Sequence, residues 1–321
     1  MVSFRLFDLR AALKGGLRPL TRALVPLVLL TLSASPLRSQ TIEDGLMMPK
    51  KNFCTGFLYV HDSWDQYWEG TLKRGNGNIG TITTQTITWA GNYGVTDRLN
   101  VIAMVPYVKT KASQGVLHGM SGFQDMTVAV KYKVLDTAFT SRGSFRTILA
   151  ASAGAPLTDY TPDFLPLSIG LASKRLSGRM TLMFHAKQGW FIHASGAYSG
   201  RGKVTLDRPS YYTDGQLFIS DQVAMPDVFD YTVSAGYLRE RMHFPISFSQ
   251  QITRGGGDIR RQDMPFVSNR MNVQKVEALA MYYLPTPKKL AVRLAANYTL
   301  DGRNVGQSTT ITAGLFYIFD F

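Results

Sequence analysis

The chain holds one cysteine, Cys54, in 321 residues, so no internal disulfide can form and an exported form must draw its stability from elsewhere. Charged residues are scarce as well, at 18% against the usual quarter. The apolar run ALVPLVLLTL at 23–32 falls well short of the roughly 20 residues a membrane-spanning helix needs. After Gln40 no stretch carries the 3.6-residue period of an amphipathic helix. The Gly-rich ITRGGGDIRRQ at 252–262 lacks the GxxxxGK[ST] of a phosphate loop. Asp62, Asp65 and Glu69 in HDSWDQYWEG lack the spacing of a calcium loop. Net charge is +13, yet Arg5, Arg10, Lys14, Arg18 and Arg22 sit in a leader and the remaining charge is dispersed, without a nucleic-acid-binding motif. The chain is therefore expected to use no cofactor, no metal and no nucleic-acid partner, and Cys54 reads as a small strand residue.

What is present begins with that leader. A basic segment, the apolar run at 23–32 and small residues up to Ser39 describe a secretory signal over 1–39, with Gln40 as the mature start. The alternative is an N-terminal membrane anchor. Residues 40–321 show no further domain boundary.

That remainder is a series of alternating segments. In DMTVAVKYKV, Met126, Val128, Val130, Tyr132 and Val134 share one face, and Asp125, Thr127, Ala129, Lys131 and Lys133 the other. VFDYTVSAGY, MHFPISFSQQIT, VQKVEALAMYYL and LAVRLAANYT repeat the pattern. Further strands are expected near 52–61, 81–93, 99–109, 144–153 and 190–198. The stretch 167–185 carries one more, whose register the sequence does not fix. Short turns at 94–97, 136–143, 187–189, 238–241 and 285–288 alternate with long polar connections. Such alternation belongs to an outer-membrane barrel, with tight periplasmic turns and larger external loops. The expected fold is all-β: a transmembrane antiparallel up-and-down β-barrel of about twelve strands, which also abolishes exposed sheet edges. A large soluble β-sandwich is the alternative.

The faces agree with the barrel. Apolar faces carry Tyr107, Tyr132, Tyr237, Tyr282, Tyr298 and Tyr317 near strand ends, where an interfacial girdle sits. Opposite faces carry Lys131, Lys133, Arg146, Lys275, Glu277 and Arg293, which a dry sandwich core does not tolerate and a watered lumen does. These six are the expected lumen-lining residues. The chain closes on ITAGLFYIFDF, and Leu315, Tyr317, Phe319 and Phe321 resemble the terminal signal by which barrel-assembly machinery recognises its clients.

Two internal stretches carry a wider resemblance. YGVTDRLNV at 93–101 with MVPYV at 104–108, and SGFQDMTVAVKYKV at 121–134, resemble the proteins of the MetA pathway of phenol degradation. The resemblance implies an outer-membrane transporter for small, commonly aromatic compounds. By their residue types, Gly94 supplies an unusual turn angle and Asp97 caps its own chain.

The expected function is passive uptake of small solutes, aromatic or anionic, with outer-membrane lipid and lipopolysaccharide, the assembly machinery and the solute as partners, and no enzymatic activity. His193 and Ser195 share a strand face as in outer-membrane phospholipases, the alternative being a lipid hydrolase. They point away from lipid, because Trp190, Ile192, Ala194 and Tyr198 claim that side. A closed structural barrel is a further alternative. In the long loop 199–227, Tyr211, Tyr212 and Phe218 are candidates for stacking an aromatic solute or for packing at the rim.

Overall fold

The computed structural model describes residues 41–260, 264–287 and 289–321. The expected leader at 1–39 lies outside them. Among the described residues twelve long strands form the wall: β1 (Asn52–Trp64), β2 (Ile82–Thr96), β3 (Leu99–Ala112), β4 (Asp125–Thr140), β5 (Gly143–Pro156), β6 (Arg175–Ala186), β7 (Trp190–Arg201), β8 (Asp227–Arg239), β9 (Met242–Arg254), β10 (Asn272–Tyr283), β11 (Leu290–Arg303) and β12 (Thr309–Asp320). Each pairs antiparallel with its sequence neighbour, and β1 pairs with β12 from Asn52↔Asp320 to Ser63↔Thr309, which closes the ring. Every strand exceeds the roughly 9–11 residues that cross a bilayer.

Alternation decides which face meets lipid. On β12, Ile311, Leu315, Tyr317 and Phe319 are exposed while Thr310, Phe316 and Ile318 are buried. On β4, Val128, Val130, Tyr132 and Val134 face out and Ala129 and Lys131 face in. One aromatic ring of the belt runs through Tyr132, Trp190, Tyr282 and Tyr317 at the short-turn end, and another through Tyr107, Tyr198 and Tyr298 towards the long loops. A molecule that keeps its large apolar side chains outside and its charges inside is built for a membrane.

One boundary differs from the sequence reading, and one register left open there is now defined. The turn expected at 136–143 is mostly strand: β4 runs to Thr140 through register shifts at Lys133/Leu135 and Ala138/Thr140. Those bulges break the two-residue period and re-aim Asp136 towards Lys133 and Arg146. The strand left without a register in 167–185 is β6, which pairs Arg179 with Ala197 and Ala150.

At the long-loop end the connections build a cap of their own. Val204, Leu206, Tyr211, Val223, Met225, Phe266 and Val267 form a buried apolar cluster. Loop 157–174 turns inward, where Thr110 on the inner face of β3 donates its hydroxyl to the Leu167 carbonyl at 2.6 Å. Arg303 and Asn304 both bind the Asp258 carboxylate in this cap. The Arg303 guanidinium, first, and the Asn304 amide hold that carboxyl at about 2. A carboxyl depressed by folding stabilises above its unfolded value, and the contribution is lost as pH falls through the folded one. Lowering pH from about 4 to 2 is therefore expected to loosen the cap. Trp68, buried in it, reports this as a fluorescence change that an Asp258→Asn variant lacks; an identical transition in that variant refutes the assignment.

Candidate functional site

Residues 41–51 form no strand; they run through the lumen as a strap. Its base sits at the short-turn end, where Lys51 N–H donates to the Gly94 carbonyl at 2.8 Å and Phe321 N–H donates to the Lys51 carbonyl at 2.9 Å. Lys50 N–H donates to Asp97 Oδ1 at 3.1 Å. This revises two expectations. Gly94 does not adopt a positive φ; a Cβ there would lie 2.0 Å from the Pro49 carbonyl oxygen, so the glycine is needed for close approach of the strap. Asp97 caps the strap while Thr96 caps its own turn through Arg98 N–H.

Above its base the strap fills the apolar part of the lumen. Met48 packs with Cys54, Met281, Tyr283, Ala291, Phe316 and Ile318, and Leu46 with Met183, Phe191 and Leu238. Alternation put these wall residues inside, and only the strap keeps them from facing water. Fully burying two such side chains stabilises the docked strap by about 3–6 kcal/mol.

Polar anchors lie higher. Lys131, fully buried, places its ammonium 2.8 Å from Asp44 Oδ1 and 2.7 Å from the Thr41 carbonyl. Asp44 also accepts from Thr41 N–H at 2.6 Å and Leu46 N–H at 3.0 Å, which folds the strap into a tight turn. Arg146 donates to the Gly45 carbonyl at 2.9 Å and Thr181 to the Glu43 carbonyl at 3.3 Å. Arg179 binds Asp230 and reaches Glu43 at 3.7 Å.

Over this turn opens a cavity of about 350 Å³ with Ile42 and Glu43 among its lining residues. Its wall carries hydroxyls and amides such as Thr127, Ser177, Ser249 and Gln251, together with Arg175, Arg179, Lys275 and Asp230. Arg179 was hidden in the sequence because it falls where the register was unfixed. Arg175 lies in the same stretch, and Asp230 falls on the polar face of VFDYTVSAGY, where the pattern places it inward without showing its partner.

The expected lumen residues have distinct settings. Lys131 holds the strap. Lys133 and Arg146 share Asp136 at 3.0 and 3.3 Å. Lys275 lines the cavity, and Glu277 lies opposite Asn297 in the field of Arg293 rather than in an ion pair with Lys275. In the loop, Tyr211 is only 8% exposed and stacks between Phe218 and Phe266 at centroid distances of 5.1 and 5.2 Å, so its ring packs in the cap; Tyr212 points to solvent. At the terminus Phe321 is 73% exposed and stacks on Phe319. Asp62 accepts from Thr310 and Glu69 pairs with Arg74, so the acidic loop gathers no cluster with Asp65.

His193 and Ser195 both face inward. Ser195 Oγ accepts from Arg179 at 3.0 Å and shares a 2.9 Å hydrogen bond with Thr181, whereas His193 Nε2 has no hydrogen-bond partner. A nucleophile needs its base within hydrogen-bond reach. Here arginine and threonine take the place of that base.

A closed barrel with an apolar belt, a polar inner chamber and long loops at one end defines an integral β-barrel of the bacterial outer membrane. The sequence profile described as "Putative MetA-pathway of phenol degradation" matches residues 73–315, and the chain belongs to that family. Among solved structures, the COG4313 outer membrane channel from Pseudomonas putida F1 is similar with a TM-score of 0.70 and 13% identity, over 88% of this chain and 100% of that one. The translocator domain of the autotransporter NalP from Neisseria meningitidis is more distant, with a TM-score of 0.41 and 7% identity over 85% of this chain and 90% of its own. No curated protein sequence matches the chain.

Proposed function

We propose that the protein is an outer-membrane channel for passive passage of small solutes, exported by a cleaved signal at 1–39. The polar cavity inside a closed barrel carries this reading, since a structural barrel gains nothing from an internal chamber lined by hydroxyls, amides and charges. The family and the likeness to an outer-membrane channel fold agree with it. Catalysis is not called upon, because Ser195 is engaged by Arg179 and Thr181.

The bias we infer is towards anions. Lys131, Lys133 and Arg146 are each matched by a carboxylate, so selectivity falls to Arg175 and Lys275 on the cavity wall. The test is planar-bilayer recording of the purified barrel under a potassium chloride gradient. We expect a small conductance in the whole chain, several-fold larger after deletion of residues 41–49, with a reversal potential favouring chloride. Cation preference sinks the selectivity. No conductance in either form sinks the channel.

A further inference from the structure

The strap presents Asp44, Gly45 and Leu46 in sequence: a carboxylate, a spacer without a side chain, and an apolar body. The wall receives them with matching chemistry, the Lys131 ammonium for the carboxylate and a pocket of Met183, Phe191 and Leu238 for the leucine. Wall carboxylates already serve three neighbouring cations, Asp136 for Lys133 and Arg146, and Asp230 for Arg179. Among the described residues, the ion pair of Lys131 is made with the strap. Without the strap the wall therefore presents an ammonium lacking its anion, beside an apolar pocket lacking its occupant. A ligand that carries a carboxylate on an apolar body restores the charge-assisted hydrogen bond and the apolar burial together. Gly45 shows how closely that ligand is held, since a Cβ there would come within 2.8 Å of Met183 Cβ. The residues of this pocket lie within the family-matched segment 73–315, and the strap lies outside it.

We propose that this pocket is a binding site for small organic carboxylates with an apolar body, and that Asp44–Leu46 occupies it in cis as a mimic of the solute. The inference rests on the channel reading for its purpose and on the pocket for its chemistry. A tethered mimic competes at an effective concentration on the order of millimolar, so a free acid gains access only when the strap is weakened or the acid is abundant. The polar cavity, which has Glu43 and Arg179 in its lining, is the antechamber from which the acid approaches.

The test uses the full chain folded in detergent, with folding verified by heat-modifiable migration, and equilibrium dialysis against radiolabelled benzoate, with benzyl alcohol as the neutral isostere. Asp44→Asn removes the competing carboxylate and leaves Lys131 in place. It is expected to bind benzoate about tenfold or more tightly than the unaltered chain, because the competent fraction of sites rises. Adding Lys131→Met is expected to abolish that gain, and benzyl alcohol, which lacks the carboxylate, is expected to gain far less than benzoate. Deletion of residues 41–46 gives the same comparison should Asp44→Asn fold poorly. Equal benzoate binding with and without Asp44, or a gain that survives Lys131→Met, overturns the proposal. Because dialysis needs no flux, that result leaves the channel reading intact. A benzoate site in a barrel that never conducts would have the opposite meaning.

Discussion

Replacing Gly94 with valine is expected to expel the base of the strap while leaving the barrel folded. A Cβ at this position would stand 2.0 Å from the Pro49 carbonyl oxygen, 2.7 Å from its carbon and 2.9 Å from the Met48 carbonyl oxygen. All three are backbone atoms, so no rotamer relieves the collision. Valine suits a strand, and the ladder pair Gly94↔Asn100 gives β2 its own reason to stay. The strap therefore yields, and the loss draws on the about 3–6 kcal/mol that Leu46 and Met48 contribute by burial. Hydrogen–deuterium exchange of the 41–51 peptide is expected to pass from slow to complete within seconds, with a several-fold rise in conductance. Gly178→Val is the control, since a Cβ there meets nothing within 4 Å. Slow exchange retained in the Gly94 variant would show that the strap does not depend on this glycine.

That prediction recasts the motif YGVTDRLNV. As sequence it reads as a tight turn between strands, which it is. The structure adds that Gly94 and Asp97 also seat a segment more than forty residues upstream. No local pattern carries such information, because close approach of two backbones leaves only a glycine as its trace. The wall, by contrast, was legible: alternation alone assigned Val128, Leu294 and Leu315 outward and Lys131 and Arg293 inward, since lipid and water impose opposite demands on successive residues. Alternation failed where geometry departs from it, at the bulges near Lys133 and Ala138. On β6 the alternation is present, with Leu176, Met180, Leu182 and Phe184 opposite Arg175, Ser177, Arg179 and Thr181, but the inward Met183 and the long loop before the strand obscured it. It was silent on the strap, which has no period, and on which inward charges are neutralised. Lys131 was taken as a free lumen charge, yet its partner comes from outside the wall. The polarity of a lumen thus depends on what lies in it as much as on the strands.

Asn304→Ala is expected to dismantle the junction of three external loops. Asn304 is buried at a positive φ of 56°, which asparagine tolerates better than alanine. Its Oδ1 accepts from Gly70 N–H at 2.8 Å and Ile259 N–H at 3.0 Å, and its Nδ2 donates to Asp258 Oδ1 and the Arg270 carbonyl, both at 2.8 Å. One amide therefore ties the hairpin 66–75, the loop 255–271 and the end of β11 together. Alanine orphans two backbone donors and a carbonyl, each costing about 1–3 kcal/mol while it stays buried. Water entering the loops limits the loss to about 3–5 kcal/mol, well above a typical surface substitution. Asn304→Asp separates the two halves of the hub: it keeps the acceptor for Gly70 and Ile259 but brings a second carboxylate against Asp258. Limited proteolysis in the 255–271 loop is expected to accelerate about tenfold or more in the alanine variant, and less in the aspartate variant near pH 4 than at pH 7, as the added charge is titrated. The barrel should keep its heat-modifiable migration throughout, because the wall ladder does not pass through Asn304. Equal protection in all three forms would mean that the apolar cluster around Tyr211 and Phe266 alone holds the cap.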